Sequence, residues 1–219
     1  MKLNLNFLRH KIITIMLLLC GVVLGQSPLN GLILEQLDNG GTVEGTTYRL
    51  YADLSEGKLT SIFADETRPL LIQITDGSFY NHTYGDDVQW VINPALFGDN
   101  PELEWDTWIT IGDSYTEDAF QVGLTDNLTG SSWAEGGTPD SDASVFRTQD
   151  DVHCLPDGNG RVLLAQITTN GTISGYLNLR GYDDLGSVFL EENVTIPSDP
   201  SIGCTDALAD NFCATCIYE

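Results

Sequence analysis

Positive charge is what this sequence lacks most. Its 219 residues carry nine lysines and arginines against 32 aspartates and glutamates, a formal net charge of −23. Such a surface repels nucleic-acid phosphates and anionic membranes, so neither is an expected partner. Histidine is scarce too, at three. His10 lies close to the start, which leaves His82 and His153 as acid–base candidates in the body of the chain. Motifs of catalysis are missing: there is no Gly-x-Ser-x-Gly elbow, no His-Glu-x-x-His pair and no phosphate loop. His153 adjoins Cys154, but adjacency in sequence does not make a catalytic pair, and cysteine outside the cell is usually oxidised. These gaps point to a non-enzyme. Carboxylates are plentiful, but a glycosidase pair is defined by its spacing in a cleft, so polysaccharide hydrolysis is the lesser alternative. After the first 25 residues no long 3.6-residue periodicity occurs. No apolar run anywhere reaches the roughly 20 residues that span a bilayer.

The opening residues supply what the rest does not. Lys2, Arg9, His10 and Lys11 form a basic start, and Ile12 to Leu24 is an apolar core. Val23 and Gly25 are small residues suited to a cut before Gln26. Together these are the parts of a secretory signal peptide, residues 1–25. The expected compartment is secreted or cell-surface, with no membrane insertion after cleavage. Removal of the leader takes Lys2, Arg9 and Lys11 and no acid, so the exported part is more acidic still.

Four cysteines follow the leader: Cys154, Cys204, Cys213 and Cys216. An even count in an exported chain favours disulfides, and four cysteines allow three pairings. Cys213 and Cys216 form a C-x-x-C, but no second such pair or nearby histidine completes a zinc set.

Between leader and tail the chain reads as short strands. Tyr48, Leu50, Ala52 and Leu54 alternate with Arg49, Tyr51 and Asp53, the period of a strand with one buried face. Further strands are expected at Leu59 to Ala64, Leu70 to Thr75, Trp108 to Ile111, Ala119 to Leu124, Val162 to Thr169, Thr172 to Gly181 and Ser187 to Ile196. Asn170-Gly171 suits a two-residue type I′ hairpin turn joining its two flanking strands. On the second of these, Ile173, Leu177 and Leu179 share one face. Gly130 to Asp151 is polar and reads as a long surface loop. Pro197 to Ser201 reads as a linker. The pattern predicts an all-β chain, an antiparallel β-sandwich of jelly-roll or Ig-like type over residues 26–196. A linker at 197–202 and a short Cys-rich tail at 203–219 complete it.

The tail carries a resemblance. Gly203-Cys204-Thr205-Asp206, then Ala207, Ala209, Asn211 and Phe212, resembles the Cys-rich GCTD repeat found in secreted and surface proteins of marine Bacteroidetes. It departs from that repeat by ending at Ile217-Tyr218-Glu219, before the acidic-Gly-Ser-Cys close. The main domain is similar to an uncharacterised β-rich module of the same kind of protein. Four stretches carry that likeness: Tyr48 to Ala52, Ile92 to Phe97, Trp105 to Gly112 and Pro156 to Gln166. The resemblance implies a surface location and adhesion-type neighbours rather than a chemistry.

Candidate ligand-binding residues follow from chemistry. Ca2+ is the hard cation expected of an acidic extracellular surface, and Asp140, Asp142, Asp157 and Asn159 offer oxygen ligands at alternate positions. Arg161 stands where a further ligand would be wanted. Among Trp90, Trp105, Trp108 and Trp133, the last lies in the polar loop and is the candidate for stacking on a sugar. Trp105 and Trp108 have opposite parity if one strand holds both, so one of them at most faces the core. Asn81, Asn127, Asn170 and Asn193 each begin an Asn-x-Thr sequon, which matters only where such sites are glycosylated. The functional expectation is a non-enzymatic adhesion or binding module, with an extracellular glycan or surface protein as partner and Ca2+ as a stabilising ion. A structural spacer domain is the alternative.

Overall fold

The computed structural model describes residues 27–112, 122–124 and 144–198. The leader, the linker beyond Ser198 and the Cys-rich tail lie outside them. The described chain is all-β, in two antiparallel sheets. Its ten strands are β1 (Leu29–Leu37), β2 (Thr46–Leu54), β3 (Lys58–Phe63), β4 (Leu71–Thr75), β5 (Trp108–Ile109), β6 (Val122–Leu124), β7 (Ser144–Arg147), β8 (Arg161–Thr169), β9 (Thr172–Tyr182) and β10 (Val188–Thr195). The first sheet has the order β1-β2-β8-β5. The second runs β10-β9-β3-β7-β6, with β4 also paired to β9.

Alternation builds the core. Leu50, Ala52 and Leu54 of β2 point inward, as their spacing predicts, and meet Leu59 and Ile62 of β3 and Ile173, Leu177 and Leu179 of β9. One cluster thus draws on the inner faces of both sheets, which makes the fold a sandwich. At ~25 cal/mol per Å2 of apolar surface removed from water, this cluster is the main stabilising term.

The second layer boundary is less expected. Along β8 all nine residues are buried. Val162, Leu164, Ala165 and Ile167 join the inter-sheet core. Leu163 points the other way, into a second cluster with Tyr51, Ile92, Leu103 and Trp108. A bulge makes this possible: Leu50 pairs with Ala165 but Tyr51 pairs with Leu163, so Leu164 is the extra residue. Three 3-10 turns, Gln89–Val91, Pro94–Leu96 and Pro101–Trp105, supply the outer cover. Polar residues of β8 hold that cover. Gln166 Nε2 donates to the carbonyls of Glu104 and Asp106, and Thr168 Oγ1 to that of Trp105.

Asp106 fixes the edge of the cover. Its two carboxylate oxygens accept the backbone N–H groups of His82 (2.6 Å) and Asp86 (3.0 Å). Burial pushes its carboxyl up to about 6, with those donors opposing the rise. The approach is so close that a Cβ at Gly85 would stand 1.9 Å from the carboxylate.

Three expectations need correction. Asn170-Gly171 is not a hairpin turn, because β8 and β9 belong to different sheets. The chain crosses the sandwich there, and Asp76 and Asn193, not Asn170, are the described non-glycine residues with positive φ. The Asn170 side chain instead accepts the N–H of Ser78. Gly130 to Asp151 is not all loop, since β7 lies within it. Trp105 and Trp108 do not share a strand: Trp105 closes a 3-10 turn, while Trp108 is fully buried in the second cluster. Cys154 is a free buried thiol, and no other cysteine lies among the described residues.

Candidate functional site

A cavity of about 360 Å3 opens on the outer face of the first sheet, beside the 3-10 cover. Its floor comes from strands far apart in sequence. Antiparallel pairing of β2 with β8 sets Tyr51 against Leu163 and Asp53 against Arg161. The outward positions are then Arg49, Tyr51, Arg161 and Leu163, all lining the cavity. The wall is the segment before β8, from which Val152, His153, Leu155 and Asp157 face the space. Val152 is 68% exposed and Leu155 53%, an apolar lip beside a charged floor.

The wall is braced from behind. Arg147 of β7 points inward, donating from Nε to the Ile111 carbonyl and from Nη1 to Asp151 Oδ2 (2.8 Å). The other oxygen of Asp151 accepts the N–H of His153 and contacts its ring Nδ1, both within 2.9 Å. Burial alone would raise the Asp151 carboxyl; the Arg147 guanidinium and the His153 donors outweigh it and hold the group below its usual range. Gly112 closes the corner with φ +70°, and a Cβ there would lie 2.1 Å from the His153 carbonyl oxygen.

Arg161 is the centre of the floor. It is 9% exposed, and its guanidinium carbon lies 4.6 Å from the centre of the Tyr51 ring. Stacking of that kind fixes the plane of the guanidinium. Its Nη1 reaches Glu35 at 3.4 Å, and its Nη2 has Asp157 at 3.6 Å, beyond hydrogen-bond length. Its Nε, and the Nε of Arg49, are buried without an acceptor. Burial pushes the Tyr51 phenol above its ordinary value, with the Arg49 charge opposing.

No known protein family, curated protein or solved structure matches this chain. The site is therefore read from its own residues.

Of the predicted calcium ligands, Asp157 lines the cavity, while Asn159 lies in the turn beside it and does not. Asp157 Oδ1 accepts the N–H groups of Asn159 and Arg161, which closes the turn into β8. Its other oxygen faces the Arg161 guanidinium. A cation at Asp157 would thus stand against a fixed positive charge. Asp140 and Asp142 lie outside the described residues, as does Trp133. Among the described residues, no three His, Cys, Asp or Glu side chains are grouped to hold a metal. No described helix is long and apolar enough to cross a membrane.

Cys154 turns away from the cavity. Its Sγ reaches the Thr148 carbonyl at 3.5 Å, and burial, reinforced by the Asp151 charge, pushes the thiol up to about 12. A thiolate nucleophile is disfavoured there. Sequence reading reached Asp157, as a calcium ligand, and named His153 only in setting aside a Cys–His pair; it missed Arg49, Tyr51 and Arg161 as a site. The signal lay in Arg161 itself, which the calcium pattern treated as an interruption.

Proposed function

We propose that this chain is a non-enzymatic extracellular binding module and that the cavity over β2 and β8 is where it takes its ligand, a glycan. The observation that carries this reading is the pairing of an exposed apolar lip, Val152 and Leu155, with buried guanidinium donors that have no acceptor. A folded protein seldom leaves such donors unmet, because each costs about 1–3 kcal/mol. Exposed apolar residues around polar groups are the ordinary make-up of a ligand site. The leader, the acidity and the tail of the sequence support an extracellular setting.

An immobilised panel of neutral and acidic glycans, probed with the expressed chain, tests the proposal. The wild type is expected to bind at least one class, and Leu155→Glu, an exposed change that leaves the core untouched, is expected to abolish it. Retention of binding in Leu155→Glu would move the site elsewhere. Silence across the panel would overturn the glycan reading and favour a spacer domain.

A further inference from the structure

We infer that the cavity is selective for a carboxylate, and that its ligand is an acidic sugar of the uronate type. The inference rests on the binding-module reading above and narrows it to a substrate class.

Charge distribution comes first. In a chain with nine lysines and arginines against 32 acids, two arginines and a histidine line a single cavity. An acidic surface repels anions in general, and the cations lining this cavity offset that repulsion locally.

Geometry comes second. A carboxylate is gripped side-on by the Nε–Nη2 edge of an arginine, through two parallel N–H donors. On Arg161 that edge carries unmet donors: Nε is buried with no acceptor, and Nη2 has Asp157 at 3.6 Å. The Tyr51 ring fixes the plane of this guanidinium. Asp157 is held through Oδ1 by the turn, and its Oδ2 stands beyond hydrogen-bond length from Nη2, so it does not satisfy that edge. Arg49 brings a second Nε of the same kind from the neighbouring strand.

The neighbours limit the ligand's charge. Glu35 and Asp157 both stand beside Arg161. A dianion such as phosphate or sulfate would place two charges next to these acids, where a carboxylate places one. Planar geometry favours the carboxylate as well.

The choice of a sugar over a peptide follows from the sheet order. Peptides are often bound by adding a strand to an open sheet edge. The floor strands β2 and β8 are both interior in the order β1-β2-β8-β5, so no main-chain edge is offered here. What remains for the rest of the ligand are side-chain groups suited to hydroxyls. These are the Asp157 carboxylate, the Tyr51 phenol and the His153 ring, whose Nδ1 is already engaged by Asp151.

Calorimetric titration of the expressed chain decides it, with three probes. They are a uronate disaccharide, the neutral disaccharide of the same linkage, and a short peptide with a free C-terminal carboxylate. The uronate is expected to bind at least about tenfold more tightly than the neutral sugar. Arg49→Met is expected to remove about that factor for the uronate and to weaken the neutral sugar by much less, so that the preference between the two is lost. Arg161→Met is expected to do the same, with thermal unfolding confirming that the variant is folded. Equal affinity for both sugars, lost in Leu155→Glu, would overturn the carboxylate inference and leave the binding module standing. Tighter binding of the peptide would overturn the sugar. No binding by any probe would overturn this inference, and the broader reading would then rest on the glycan panel.

Discussion

Arg147 and Asp151 meet through an Nη1–Oδ2 hydrogen bond of 2.8 Å, with both side chains almost wholly out of solvent. The pair ties β7 to the cavity wall. Removing one member strands the other charge in the interior, which costs about 3–5 kcal/mol. Arg147→Met is therefore expected to lower the midpoint of urea unfolding sharply, and Arg147→Met with Asp151→Asn to lower it by less than the two separate losses combined. A strictly additive double variant would show that the two do not act as a pair. Because the Asp151 carboxyl is held below its usual value, its contribution is complete above the unfolded pKa and is lost only as pH falls through the lower folded one.

Asp106 behaves in the opposite sense. Its carboxyl is pushed up to about 6 by burial, against an ordinary value of 3.8. The fold thus favours the protonated form. This contribution is fully present below about pH 4 and is lost as pH rises through about 6. Urea midpoints across pH 4 to 7 should show a fall in the wild type that is missing in Asp106→Asn. Identical pH profiles would mean the carboxyl titrates as it does in the unfolded chain.

Asp157 separates a turn from a metal site. Its Oδ1 accepts two backbone N–H groups, so Asp157→Ala is expected to cost about 1–2 kcal/mol through those bonds alone. The loss in melting temperature should be the same in EDTA and in millimolar Ca2+. A larger loss in Ca2+ would place a calcium ion at this turn.

Cys154 offers a chemical check on the interior. A buried thiol with its pKa near 12 reacts slowly, because the thiolate is the reactive form. Iodoacetamide is expected to leave Cys154 unmodified in the native protein and to label it in denaturant without reductant. Peptide mapping of the same sample would report the state of Cys204, Cys213 and Cys216. Failure to label Cys154 in denaturant would show that it is disulfide-bonded.

Much of this architecture is legible in the sequence, wherever one side of a strand faces the core. The period-two stretch ending at Leu54 and the run Ile173, Leu177, Leu179 both point inward as written. Legibility fails where an inward residue is polar or a bulge shifts the register. β7 hides in a polar segment because one of its two buried positions is Arg147, held inward by Asp151. β1 is masked by a register shift between Leu29 and Gly31. The candidate site was the least visible part. Arg49 and Arg161 are more than a hundred residues apart, and only the β2–β8 pairing puts them on one face. The meaning of Asn170-Gly171 depended likewise on whether its flanking strands share a sheet.

β8 is covered on both faces, and its cover arrives from elsewhere in the chain: β2, the other sheet and the turns of residues 89–105. Before those parts close, Arg161–Thr169 is a bare segment of high strand propensity that holds one charge. Two copies of this protein meeting while unfolded would find in that segment their readiest means of pairing. A chain that carries such a strand therefore gains from folding while dilute or escorted, and its net negative charge, present before folding as after, is what holds copies apart until β8 is sealed in.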